Sequence, residues 1–177
     1  MVVSADMIRE LRELTSCGVI DCKKALEETH GDLQKAKDVL QKRRGAEILA
    51  KKGDRLAKEG RVEAYVHMGN KLAALVEVNC ETDFVARSEE FCKFTKDLAM
   101  HIAAKAPRYI RREDVPQDVL AAQPDQKTFL KETCLLDQTF VRDESITIQD
   151  YLNSLVVKIG ENIRIGRFLR YKVGTSE

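Results

Sequence analysis

Along the first 45 residues, apolar positions recur three and four apart, which is the spacing of one face of a helix. Ile8, Leu11 and Leu14 form such a stripe behind Ser4, a residue type that caps helix N-termini. After a turn over Thr15 to Gly18, Asp21 is placed to cap a second helix with the stripe Cys22, Ala25 and Leu26 and with Gly31 as its stop. Asp32 then caps a third, in which Leu33, Ala36, Val39 and Leu40 share a face before the polar end Lys42-Arg43-Arg44-Gly45. No single stripe is large enough to hold a helix in water, so residues 1–45 are expected to form a three-helix bundle. Residues 46–59, rich in Ala and Lys and poor in apolar side chains, read as a linker helix.

From residue 60 the period changes to two. Val62, Ala64 and Val66 alternate with Arg61, Glu63, Tyr65 and His67, predicting a half-buried strand. Gly69-Asn70 tolerates the positive φ of a hairpin turn, and Leu72 to Asn79 returns as an apolar strand. Ser88 opens a helix with Phe91, Phe94, Leu98 and Ile102 on one face, which Pro107 ends. Pro116 and Pro124 break residues 108–144, expected to be partly irregular with a helix over 127–136. Thr147 and Asp150 form a capping box before Ile148, Leu152, Leu155, Val156 and Ile159, and Gly160 stops that helix. Ile163, Ile165, Leu169, Tyr171 and Val173 share a parity that Arg167-Phe168 interrupts, predicting a final strand with a bulge or an exposed face. The order strand, strand, helix, helix, strand gives an α+β fold class: over residues 60–177, a small antiparallel sheet covered by helices.

Composition narrows the function. With 44% hydrophobic and 33% charged residues, the chain is too apolar for disorder and too charged for a membrane protein. Thirty Lys and Arg against 29 Asp and Glu leave a net charge of +1, which favours a protein partner over nucleic acid. No apolar run reaches the roughly 20 residues that span a bilayer, and the opening Met1-Val2-Val3-Ser4-Ala5-Asp6 lacks a basic flank with a long apolar stretch. A cytoplasmic protein without membrane association is expected. Cys17, Cys22, Cys80, Cys92 and Cys134 form no C-x-x-C pair, and His30, His67 and His101 stand at no ligand spacing, so reduced thiols and no metal are expected. The isolated glycines match no phosphate loop, and Ser, His and Asp fall into no elbow motif; neither a cofactor nor bond chemistry has an anchor.

The basic runs Lys42-Arg43-Arg44 and Lys51-Lys52 lack interleaved aromatics and read as solvating. Arg9, Arg12 and Lys23 read as wet helix faces, whereas Val19-Ile20 places two large apolar residues on the turn that opens a helix, where so small a bundle struggles to bury both. The segment Thr82-Asp83-Phe84-Val85 admits two readings. In the plainer one Phe84 is core and Asp83 caps a helix. In the other the junction is a projecting wedge, its aromatic entering a partner's pocket and its carboxylate disturbing hydrogen bonds there.

Three strings carry a likeness. Glu10-Leu11-Arg12-Glu13-Leu14-Thr15 with Val19-Ile20-Asp21-Cys22-Lys23-Lys24-Ala25-Leu26, then Glu77-Val78-Asn79-Cys80-Glu81-Thr82-Asp83-Phe84-Val85-Ala86, and Lys158-Ile159-Gly160-Glu161-Asn162-Ile163 resemble, in order, the signatures of the translation elongation factor Ts family. The resemblance implies an N-terminal module like ubiquitin-associated domains, an α+β core, and exchange of guanine nucleotide on the GTPase elongation factor Tu without bond chemistry. It carries Arg9, Arg12, Val19, Ile20 and Lys23 over as contacts to the nucleotide-binding domain of Tu. It also carries Thr82, Asp83, Phe84 and Val85 over as the element that dislocates the magnesium of Tu, which selects the wedge reading. Many members hold two core subdomains where this chain has room for one, and it resembles the short bacterial type. With its last strand at a sheet edge, the chain is expected to pair as a symmetric homodimer through its core sheets. A generic adaptor built on the N-terminal bundle, or an RNA-associated protein using the basic linker, would leave the Thr82 to Val85 segment unexplained.

Overall fold

The computed structural model describes residues 3–15, 17–52 and 56–175, with Gln41 and residues 44–52 described by their backbone alone. Helices α1 (Ala5–Thr15), α2 (Val19–Glu28) and α3 (Leu33–Lys52) pack around Leu11, Cys22, Ala25, Leu26, Ala36 and Leu40, all buried. The caps follow from side-chain chemistry: Ser4 Oγ accepts the amide of Met7 at 3.2 Å and Asp32 Oδ1 that of Lys35 at 3.0 Å. Gly31, at φ 85°, donates its amide back to Leu26 O at 2.8 Å and closes α2.

Two expectations for these helices are corrected. The N-cap of α2 is Gly18, in an extended conformation, so Asp21 is not the cap; it lies in the first turn, where a carboxylate favours the positive end of the helix dipole. Helix α3 does not end at Gly45 but runs to Lys52. A mid-helix glycine costs about 1 kcal/mol, and the Ala, Glu, Leu and Lys residues after it are strong enough helix formers to carry the helix through. The third helix and the start of the linker are therefore one element; residues 53–55 of the expected linker lie outside the described residues.

Strands β1 (Glu59–Val66) and β2 (Leu72–Cys80) form the hairpin, turning through Gly69 and Asn70 at φ 87° and 54°. Next come the single turn α4 (Asp83–Ala86), α5 (Glu89–Lys105), α6 (Gln117–Ala121) and α7 (Gln126–Thr133). A small hairpin of β3 (Thr139–Phe140) and β4 (Asp143–Thr147) precedes α8 (Ile148–Ile159) and β5 (Arg164–Lys172). The main sheet has the order β1-β2-β5, antiparallel throughout. Phe91, Phe94, Leu98 and Ile102 of α5 and Leu152, Leu155 and Val156 of α8 pack against Val76, Val78 and Ile165 on one sheet face. The capping box of Thr147 and Asp150 is formed, and Gly160 at φ 80° stops α8.

On β1 the expected faces are exchanged. Arg61, Glu63 and Tyr65 point toward α5, while Val62 is 65% exposed and Ala64 and Val66 are exposed with it. The charges tolerate the inner side of this edge strand because Arg61 Nε lies 2.8 Å from Glu63 Oε2 and Arg61 NH1 reaches Cys92 Sγ at 3.3 Å. On β5 the parity break is a bulge. Val78 pairs with Ile165 but Glu77 with Arg167, which leaves Gly166 as the extra residue. Ile165 before it and Phe168 after it consequently both face the core.

Candidate functional site

The junction of β2 and α5 is a single helical turn held at its base and bare at its tip. Thr82, extended at φ −128° and ψ 150°, is the N-cap: its Oγ1 accepts the amide of Val85 at 3.3 Å. Val85 and Ala86 are buried in the larger core, which anchors the turn from below. Phe84 points the other way and is 82% exposed, so the core reading of Phe84 does not describe it. Nor is Asp83 the cap; its Oδ2 lies 2.7 Å from Arg87 NH2 in an exposed pair one turn along the helix.

Every polar atom of Thr82 is engaged. Its carbonyl accepts from Cys80 Sγ at 3.1 Å and from Ala86 N at 3.2 Å. Its amide donates to Glu161 Oε2 at 3.1 Å, and its hydroxyl meets Glu161 Oε1 at 2.7 Å. The same Oε2 accepts the amide of Glu81 at 3.0 Å, and Glu81 Oε1 in return accepts the amide of Asn162 at 2.7 Å. Two glutamates, one on each side of the contact, thus exchange backbone bonds between the β2–α4 junction and the α8–β5 turn. Burial, reinforced by the Glu161 charge, raises the Cys80 thiol to about 11, which keeps it protonated as the donor to Thr82.

The other sequence-predicted residues lie on the N-terminal helices. Arg9 and Arg12 are exposed on α1, with Arg9 Nε 3.7 Å from Glu13. Val19, Ile20 and Lys23 are exposed in the first turns of α2; Ile20 is 70% exposed and Lys23 Nζ lies 3.9 Å from Glu27. Both Val19 and Ile20 are left out of the bundle core. Sequence spacing assigned Leu14 to the apolar stripe of α1, but it is exposed at the end of that helix. Sequence reasoning also missed Glu81 and Glu161 as partners of the junction, since no local spacing links positions 80 residues apart. Among the described residues, no three His, Cys, Asp or Glu side chains converge to hold a metal ion.

The profile of the family described as Elongation factor TS matches residues 13–127 and 125–175. The chain is 44% identical over 196 residues to an elongation factor Ts of Carboxydothermus hydrogenoformans, covering 98% of this chain and 90% of that protein. An elongation factor Ts of Thermotoga neapolitana is 44% identical over 195 residues, with 98% of both chains covered. One of Anaeromyxobacter sp. strain K is 48% identical over 195 residues, covering 97% of this chain and 89% of that protein. Full-length relatives of this similarity, matched across both the three-helix bundle and the α+β core, show that the chain belongs to the elongation factor Ts family.

Proposed function

We propose that this chain is a guanine-nucleotide exchange factor for elongation factor Tu. It binds Tu in its GDP form, disturbs the magnesium site, and promotes GDP release until GTP binds. The observation that carries this reading is Phe84, an aromatic ring 82% exposed on a turn held by the Thr82 cap and by buried Val85 and Ala86. A large apolar ring held out in water is costly unless a partner's pocket receives it, and a ring on a rigid base loses little freedom when it enters one. Asp83 beside it brings a carboxylate to the same place, where it competes for the hydrogen bonds that hold a metal's ligands. Residues 1–45 supply a second contact, in which Arg9, Arg12, Val19, Ile20 and Lys23 meet the nucleotide-binding domain of Tu. Residues 46–59 link this module to residues 60–177, the exchange and dimerisation domain.

The energetics need no catalytic group. A nucleotide held at nanomolar strength is bound by about 12 kcal/mol, part of it through the magnesium bridging its phosphates. Shifting a population by about 10⁴ takes roughly 5.5 kcal/mol of differential binding, within reach of one buried aromatic plus polar contacts from both domains. Linkage is reciprocal, so nucleotide weakens the grip of this protein on Tu by the same factor, and GTP then releases it. The protein works in the cytoplasm, and among the described residues no helix is long and apolar enough to cross a membrane. The direct test is release of labelled GDP from purified Tu with and without this chain; an unchanged release rate at a saturating concentration refutes the reading.

A further inference from the structure

We propose that Glu161 is a positioning residue for nucleotide exchange: by accepting from Glu81 N, Thr82 N and Thr82 Oγ1 at once, it holds the Phe84 turn at the angle the partner requires. The inference rests on the exchange reading above. Phe84 makes no core contact of its own, so its direction is set by the backbone beneath it. On the C-terminal side that backbone is fixed by the burial of Val85 and Ala86. On the N-terminal side it leaves a strand end, and there the three bonds from one carboxylate, at 3.0, 3.1 and 2.7 Å, are what the α8–β5 turn contributes.

The location of Glu161 makes this contact precise. Gly160 ends α8 in the left-handed conformation, and Asn162 and Ile163 are buried immediately after it, so the glutamate projects from a turn that is itself fixed. Glu81 returns the contact by accepting the amide of Asn162 at 2.7 Å, so the two turns cannot slide past one another without breaking bonds in both directions. A site that must be placed to within about half an ångström is held by such supporting bonds, not by the side chain that makes the contact.

Three variants separate reach from charge. Glu161→Gln keeps one oxygen for the two amides and an NH₂ group facing the threonine hydroxyl, so it should retain at least about half of the exchange rate. Glu161→Asp keeps the charge but falls one methylene short, and Glu161→Ala removes the acceptor. Both should slow GDP release at saturating exchange factor, by roughly fivefold and tenfold, with a smaller change in the concentration giving half-maximal effect. In Glu161→Ala the amides of Glu81 and Thr82 should exchange hydrogen faster, while those of Val76 and Val78 keep their protection. Added to Phe84→Ala, Glu161→Ala should slow release by no more than about twofold further, because the two residues act as one unit.

A normal rate in Glu161→Ala beside a slow Phe84→Ala overturns this inference and leaves the exchange reading standing. Normal rates in both overturn the exchange reading itself. If Glu161→Ala does not fold, the Asp and Gln variants decide: an Asp variant as fast as the parent beside an impaired Gln variant would mean that charge, not reach, matters, and the positioning role fails.

Discussion

Truncating Phe84 to Ala removes a ring that its own chain barely touches. Melting should therefore shift by no more than other surface changes do, within about 0.5 kcal/mol of stability, while GDP release from Tu slows at least about tenfold. Measured on one preparation, a variant that melts much earlier yet exchanges normally while folded would sink the wedge. Asp83→Ala breaks only an exposed pair with Arg87, so its stability cost should also stay below about 0.5 kcal/mol. His101 is the opposite case, a fully buried ring. Its Nε2 lies 2.9 Å from Gln138 Oε1 and its Nδ1 accepts the amide of Val141 at 3.2 Å, an arrangement that needs the neutral tautomer protonated on Nε2. Burial lowers its pKa to about 4, with the Lys105 charge adding to the effect and the Gln138 bond opposing it. The unfolded chain takes up a proton near pH 6.5 and the folded chain only near 4. The stabilisation is thus fully present above pH 6.5 and is lost progressively as the pH falls toward 4, up to roughly 3 kcal/mol in all. His101→Gln should flatten that part of the stability-pH curve; an unchanged slope between pH 6.5 and 4 in denaturant titrations would refute the assignment.

At the scale of elements, two glycines of the sheet do different work. A Cβ on Gly60 would lie 2.3 Å from the carbonyl oxygen of Val78 and 2.8 Å from Asn79 Cα, both backbone atoms of the neighbouring strand. A Cβ on Gly166, the bulge residue, would meet the side-chain oxygen of Asn79 at 2.6 Å, and that side chain can turn aside at the cost of its 3.0 Å bond to Glu77. Gly60→Ala should accordingly cost about 1–3 kcal/mol and Gly166→Ala less, an order that urea melts of the two variants would test. The helices could be read because their caps and stripes are local: Ser4, Asp32, Ser88, the Thr147–Asp150 box and the Gly160 stop all act within a few residues of themselves. The face of β1 could not, because alternation gives the period but not the sign. Val62 and Val66 look like core residues until the pairing of Arg61 with Glu63 under α5 reverses the strand. The Thr82 to Val85 segment was visible through its resemblance, but its bonds to Glu161 were not, because no local pattern connects the two turns.

That reversal determines what the whole molecule presents to its surroundings. Across the three strands, Val66 lies beside Ala73 and Tyr171, and Ala64 beside Leu75 and Leu169, forming an apolar field on the sheet face opposite α5. Glu77 and Arg167, paired at 2.8 Å, close one end of it. A sheet with one face in a helical core and the other in water normally turns polar side chains outward, so an apolar outer face marks an interface. A second copy is the occupant the family context favours: two such faces stacked about a twofold axis, some 10 Å apart, would pair two single cores into the doubled arrangement implied for longer members. Leu169 stands at an edge strand and is half exposed, so Leu169→Asp should place a charge inside the interface while costing the folded monomer little. Light scattering at micromolar concentration should then give a two-chain mass for the parent and a one-chain mass for the variant, with the melting temperature of the parent alone rising with concentration. A one-chain mass for the parent would refute the homodimer. A two-chain mass that survives Leu169→Asp would move the interface elsewhere on the molecule and leave the apolar field to another partner.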